Sequence, residues 1–207
     1  ATTEIYTLSL HDALPISGSV LISRYATSDF CLVQMNQTPP QEYNVFYAGW
    51  SKEGLVSPSA VCIHHPRGDI KKITFANNPT VAAIYNNVDS WQALWTDGAT
   101  EPGSSGSPLF DKDHRIIGQL YGGPSSCTAA PEYMNDYYGK FSVSWEGASP
   151  DVRLKDWLDP LNINPPYIDG YDPNTPTYSL DAKPKTIDVP IASYCGLQSI
   201  SPAVKIQ

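Results

Sequence analysis

Two places in this chain combine residue types and spacing that could do chemistry. The first is Glu101-Pro102-Gly103-Ser104-Ser105-Gly106-Ser107-Pro108, a glycine-flanked turn that leads straight into an apolar strand. Such a turn lifts a serine hydroxyl clear of the backbone. It also aims successive N–H groups, here those of Gly103 and Ser105, at one spot where a developing oxyanion can be bound. Glycine spacing alone leaves a Gly-Ser surface loop as an equal alternative. The second place is Asp29, at the head of an otherwise apolar strand in Tyr25-Ala26-Thr27-Ser28-Asp29-Phe30. A carboxylate there is an expense unless it is hydrogen-bonded, and a histidine N–H is the partner that would make it useful. A turn-capping Asp is the plainer reading.

The elements that must position these groups are β-strands. The chain has 207 residues with 19 Pro, 14 Gly and 13 Tyr and only 16% charged residues, which favours many short strands joined by turns over long helices. Alternation predicts a strand from residue 20 to 25, a short turn, and a second strand over 29–35. Aromatic and β-branched runs follow at 44–50, 60–64, 70–75, 81–85 and 91–96, then at 107–111, 115–121 and 139–145, with 112–114 as a hairpin turn. One helix closes the run: Ser149 as N-cap, Pro150 in the first turn, and Val152, Leu154, Trp157 and Leu158 as an apolar face before Pro160.

The bulk numbers exclude several partners. A formal charge of −8, with no basic cluster longer than Lys71-Lys72, gives no footprint for nucleic acid. No apolar run approaches the roughly 18 to 20 residues that span a bilayer. Cys31, Cys62, Cys127 and Cys195 form no C-x-x-C pair and stand near no histidine at zinc-ligand spacing, so no metal and no cofactor is expected. Disulfides of an exported protein fit these cysteines better, and of the three full pairings the preferred bond is Cys31 with Cys62.

Residues 100–108 match T-E-P-G-S-S-G-S-P, and this segment resembles the nucleophile loop of trypsin-like serine proteases of the lysyl endopeptidase type. Tyr25-Ala26-Thr27-Ser28-Asp29-Phe30 is similar to the same family's Y-A-T-S-D-F. Residues 118–127 resemble its G-Q-L-H-G-G-P-S-S-C, with Tyr121 in place of His. The resemblance implies Ser105 as nucleophile, Asp29 as the acid that orients the base, and Gly103 and Ser105 as the oxyanion hole. It implies that Leu120, Tyr121 and Gly122 form a strand edge that pairs with an extended polypeptide substrate. Asp136, thirty-one residues after Ser105, falls where the family keeps the acid of its specificity pocket, and a buried carboxylate there selects a cationic side chain, lysine in the family. Read apart from the family, a solvated loop Asp is the minority alternative for Asp136. The fold implied is all-β, a chymotrypsin-like double β-barrel whose second barrel is complete and whose first is partial, with a C-terminal helix. The implied protein is secreted and monomeric.

No histidine fits the base. His11 stands only eighteen residues before Asp29 and lacks any T-A-A-H-C-like context. His64-His65 resembles the family's I-H-H-P strand, where at most one ring can look inward, and His114 lies in a hairpin turn. Residues 1–16 read as a conceptual translation of a short-read sequencing adapter, so 17–164 is expected to be a protease domain lacking its N-terminal part. Residues 165–186 read as a linker or a strap, and 187–207 as the start of a truncated β-sandwich. The implied disulfide partner of Cys127 belongs to the missing part. The chain is therefore expected to be inactive, although its parent cleaves after a basic residue. Two other classes compete: a catalytically dead protease-like binding or adhesion module, and a secreted carbohydrate-binding β-sandwich. The second explains the aromatic residues but not the order of Asp29, Ser105 and Asp136.

Overall fold

The computed structural model describes residues 18–175, together with the backbone of two strand segments further on. The chain divides into two compact units, Ala1–Pro173 and Asn174–Gln207. In the first, β1 (Ser19–Tyr25) and β2 (Phe30–Met35) form a separate antiparallel pair, from Ser19 opposite Met35 to Tyr25 opposite Phe30. Alternation shows on β2, where Phe30 and Leu32 are buried and Cys31 and Val33 exposed, while on β1 only Ser23 is buried and Val20 and Leu21 are both exposed.

The remaining strands belong to one sheet. They are β3 (Gly49–Ser51), β4 (Ala60–His64), β5 (Lys72–Ala76), β6 (Val81–Tyr85), β7 (Val88–Leu94), β8 (Pro108–Phe110), β9 (Arg115–Gly122), β10 (Asn135–Lys140) and β11 (Tyr167–Ile168). Their spatial order is β5-β4-β8-β9-β10-β7-β6, with β3 beside the start of β9 and β11 beside β3. Asn86 and Asn87, both at positive φ, make the two-residue turn between β6 and β7. The run from β5 to β7 closes on itself through a bridge between Phe75 and Asp97, with Phe75 N donating to Asp97 O at 2.9 Å and Thr96 N to Phe75 O at 2.8 Å. Inside this all-β barrel lie Cys62, Trp91, Trp95, Leu109, Leu120 and Tyr138. Burying each of the large side chains contributes about 1.5–3 kcal/mol.

A second core joins the β1–β2 pair to the barrel wall through Phe30, Leu32, Trp50, Ile116, Phe141, Trp145 and Leu154. Here the structure corrects the expected strand over 139–145, because β10 ends at Lys140 and a helix, α1 (Phe141–Glu146), follows it. Phe141, Ser144 and Trp145 are the buried residues of α1, a helical i, i+3, i+4 set. The same segment also reads as an alternation of Phe141, Val143 and Trp145, and burial of the helical set decided between the two. The expected single helix after Ser149 is also corrected. A 3₁₀ turn at Pro150–Val152 is separated from α2 (Lys155–Leu158) by Arg153 in an extended conformation. Leu154 is drawn into the second core and its N–H donates to Ser144 O at 2.9 Å, a tie that a continuous helix would forbid.

The expected Cys31–Cys62 disulfide is not formed. Cys31 is exposed on β2, Cys62 is buried inside the barrel, and both are free, as is the exposed Cys127. After α2 the chain runs back along β3. β11 pairs with Trp50 and Ser51, Tyr171 bridges Tyr47, and Arg115 lies over the Tyr167 ring at 3.5 Å while its Nε donates to Asp169. In the second unit, β12 (Pro184–Ile187) pairs antiparallel with β13 (Val204–Ile206). The adapter-like reading of residues 1–16 lies outside the described residues, as does most of the second domain expected at 187–207.

Candidate active site

The turn that carries Ser105 is two overlapping reverse turns. Ser104 N donates to Glu101 O at 3.0 Å and Ser107 N to Ser104 O at 3.1 Å. Gly103 and Gly106 sit at φ 97° and 83°, which only glycine adopts without strain. The peptide carbonyls on either side of the turn are tied down. Pro102 O accepts from Arg67 N at 2.7 Å, and Ser104 O accepts from both the N–H and the Oγ of Ser107. In a trans peptide the N–H points opposite to the carbonyl. The Gly103 and Ser105 amides therefore turn away from those anchors, and neither is spent on a hydrogen bond among the described residues. Ser105 itself is exposed.

Beneath the turn lies a buried polar layer that sequence reasoning did not assign. Alternation along β4 turns Cys62 and His64 inward, and His64 Nδ1 stands 2.8 Å from Ser104 Oγ. Cys62 Sγ stands 3.4 Å from Ser107 Oγ. Burial holds the His64 imidazole below its ordinary pKa, and the charge of Asp136 opposes that shift in part. Burial pushes the Cys62 thiol up to about 11. His65 is half-buried beside Asp69 O, and His114 is exposed in the β8–β9 turn at φ 62°.

Asp29 occupies the β1–β2 turn at φ 54°, a left-handed conformation that Asp tolerates, with its N–H on Ala26 O. It is half-buried, and desolvation raises its pKa above the usual carboxylate value. Its neighbour Ser28 is fully buried: Ser28 O accepts from Gln119 Nε2 at 2.6 Å, and Ser28 Oγ accepts from Ser144 at 3.1 Å. On the next residue of β9, Leu120 O accepts from Gly106 N at 2.8 Å and Leu120 N donates to Ser107 O at 2.9 Å. The residue before Asp29 and the residue after Ser105 are thus held by consecutive positions of one strand.

That strand also carries Tyr121 and Gly122. β8 pairs with β9 only as far as Pro108 opposite Gln119, so past Leu120 the β8-side edge of β9 has no partner strand among the described residues. Tyr85 meets the Tyr121 ring edge-on at 5.6 Å and stacks on Tyr137 at 4.2 Å, an aromatic group with no signal in the linear sequence. Asp136, at the start of β10, is 1% exposed, so the solvated-loop alternative does not hold. Trp95 Nε1, Thr100 Oγ1 and Ser125 Oγ donate to it at 2.5, 2.8 and 2.5 Å, and Gly123 packs against it. The barrel brings these residues together from positions too far apart in the chain for any spacing motif to join them. No group of acids, histidines and cysteines suited to a metal ion occurs among the described residues, and no helix among them is long and apolar enough to cross a membrane.

The chain is 36% identical over 151 residues to a lysyl endopeptidase of Pseudomonas aeruginosa, covering 68% of this chain and 32% of that protein. Among solved structures it is similar to the Rv3671c protease of M. tuberculosis. In its inactive form that protease gives a TM-score of 0.41 at 19% identity over 59% of this chain and 60% of the other. The active form gives 0.38 at 18% identity over 65% and 60%. Residues 7–139 match the family described as "Lysyl endopeptidase, C-terminal domain", and the chain belongs to that family.

Proposed function

We propose that the parent protein is a secreted, monomeric serine endopeptidase that cleaves polypeptides after a basic residue, lysine in preference, and that this chain carries its nucleophile, acid and specificity pocket. Ser105 Oγ attacks the scissile carbonyl carbon and passes its proton to a histidine, which Asp29 orients through a hydrogen bond. The oxyanion is met by the N–H groups of Gly103 and Ser105. Collapse of the tetrahedral adduct expels the amine and leaves an acyl-serine, which water then hydrolyses. The substrate lies along the edge that starts at Leu120 and is open at Tyr121 and Gly122, with its basic side chain toward Asp136.

The observation that carries this reading is the shared rail. The Ser105 turn is anchored to Leu120 and the Asp29 turn to Gln119, so a single strand sets both groups and the substrate edge. No histidine among the described residues is free to serve as base there, because His64 is engaged by Ser104, His65 by Asp69 O, and His114 lies in the far turn. With His11 set aside for lack of any T-A-A-H-C-like context, we propose that this chain is inactive by itself.

A fluorophosphonate reagent tests both statements. The full-length parent is labelled stoichiometrically at Ser105, and Ser105→Ala removes the label, whereas this chain stays unlabelled. An unlabelled parent overturns the peptidase reading. Stoichiometric labelling of this chain at Ser105 overturns its inactivity.

A further inference from the structure

The three donors that hold Asp136 all land on the same oxygen. Trp95 Nε1, Thr100 Oγ1 and Ser125 Oγ each bond to Oδ2, more than the two or so lone-pair sites that one carboxylate oxygen offers. Oδ1 takes none of the three. It faces the backbone of Gly123, so closely that a Cβ on that residue would stand 2.2 Å away. Asp136 forms no ion pair with any Lys or Arg among the described residues. A buried carboxylate supplied with neutral donors on one side only, and no internal cation, is arranged to receive a cation on the other.

We infer that Trp95, Thr100 and Ser125 are positioning residues that set the choice between two cationic side chains: by saturating Oδ2 they leave Asp136 one oxygen, and one oxygen favours an ammonium over a guanidinium. The lysine ammonium is a compact point donor that a single acceptor satisfies. The arginine fork is matched by two parallel N–H···O bonds to a carboxylate, and with Oδ2 already spent its second N–H has no acceptor there. A buried N–H left unpaired is penalised far more than a missing contact. The inference rests on Asp136 being the pocket acid, as proposed above, and adds the reason such a pocket separates lysine from arginine.

The test needs binding and not turnover, so this chain serves as it is. Acetyl-Ala-Ala-Lys, acetyl-Ala-Ala-Arg and acetyl-Ala-Ala-norleucine, each with a free carboxylate, are titrated by calorimetry into the wild type, into the double variant Thr100→Val with Ser125→Ala, and into Thr100→Ser. The wild type binds the lysine peptide at least tenfold more tightly than either of the others. The double variant lowers the lysine-to-arginine ratio fivefold or more, because only the Trp95 N–H is then left on Oδ2 and a site for the fork is regained, and Thr100→Ser, which keeps the hydroxyl, stays within twofold of wild type.

If the wild type prefers neither cation over norleucine, the pocket reading itself falls and the inference with it. If it binds cations but does not prefer lysine, or if the ratio survives the loss of both hydroxyls, the inference fails while the pocket stands. Should the double variant not fold, the Trp95 indole N–H resonance of the wild type decides. It stays at its hydrogen-bonded position when the lysine peptide binds, and a shift to the free-indole position overturns the proposal.

Discussion

Gln119 donates from Nε2 to the carbonyl of Ser28 at 2.6 Å, which pins the residue before Asp29 to the middle of β9. The same carbonyl lies where a Cβ on Gly139 would fall, 2.1 Å from it. Gly139 is therefore glycine because the Asp29 turn occupies the space. Gly139→Ala expels that turn and destabilises the protein by about 1–3 kcal/mol, the range for overpacking. Gln119→Ala removes one hydrogen bond without a clash and costs about 0.5–1.5 kcal/mol. Urea unfolding of the two variants checks the order; a harmless Gly139→Ala would mean that the turn is not seated there.

The all-β class and the tight turn over 101–107 were legible in the sequence for local reasons. Gly103 and Gly106 announce positive φ, and alternation along β4 turns alternate residues, Cys62 and His64 among them, inward. What was not legible depends on closure of the barrel. Trp95, Thr100, Ser125 and Asp136 converge from three separate segments, and Tyr85 reaches Tyr121 and Tyr137 only because β6 and β7 fold back beside β10. Phe141–Glu146 was misread because its apolar residues satisfy a strand period and a helix period together, and only packing against Trp50 separates the two. The cysteines misled for a similar reason. Count and class suggest a bond, whereas burial places Cys62 inside the barrel and Cys31 on the outside of a different sheet.

That separation has a chemical consequence. Cys62 is sealed in the barrel with its thiol pushed up to about 11, so it holds almost no thiolate at pH 8. Cys31 and Cys127 are exposed and free. Maleimide at pH 8 followed by peptide mass mapping labels Cys31 and Cys127 in the native protein and reaches Cys62 only in denaturant. Native labelling of Cys62 at a comparable rate would show that the barrel opens.

Two groups near the site, the buried His64 and the half-buried Asp29, give opposite responses to pH. An unfolded His64 takes up its proton near pH 6.5, and the folded one only at lower pH, so the unfolded state binds more protons in between. Stability from this group is complete above about pH 6.5 and is lost as the pH falls below it. Asp29 behaves in reverse. Desolvation raises its folded pKa above 3.8, so its favourable, neutral state is complete below that value and is lost as the pH rises through the folded pKa. His64→Gln therefore flattens the loss of stability between pH 7 and 5, while Asp29→Asn stabilises the protein at pH 7 and changes little at pH 3.5. Urea midpoints measured across this range check both signs, and a steeper acid loss in His64→Gln would contradict the assignment.

The Asp29 turn rests on more than its own hydrogen bonds, because Phe30 and Leu32 beside it share a core with Trp50, Phe141 and Trp145. Trp50 is the hub of that core. It stacks on Phe141 at 5.5 Å and meets Trp145 at 4.5 Å, while its strand holds β11 on one side and β9 on the other. Trp50→Ala opens a cavity among aromatic rings and costs about 3–5 kcal/mol, and it leaves the β1–β2 pair with little to pack against. Loss should appear first there, as faster amide exchange at 30–35 than at 115–120, because the barrel core around Trp91 and Leu109 does not include Trp50. Trp50→Phe keeps a ring against Phe141 and recovers much of the stability. Equal exchange at both strands in Trp50→Ala would show that the two cores unfold as one and that Asp29 is held by the barrel alone.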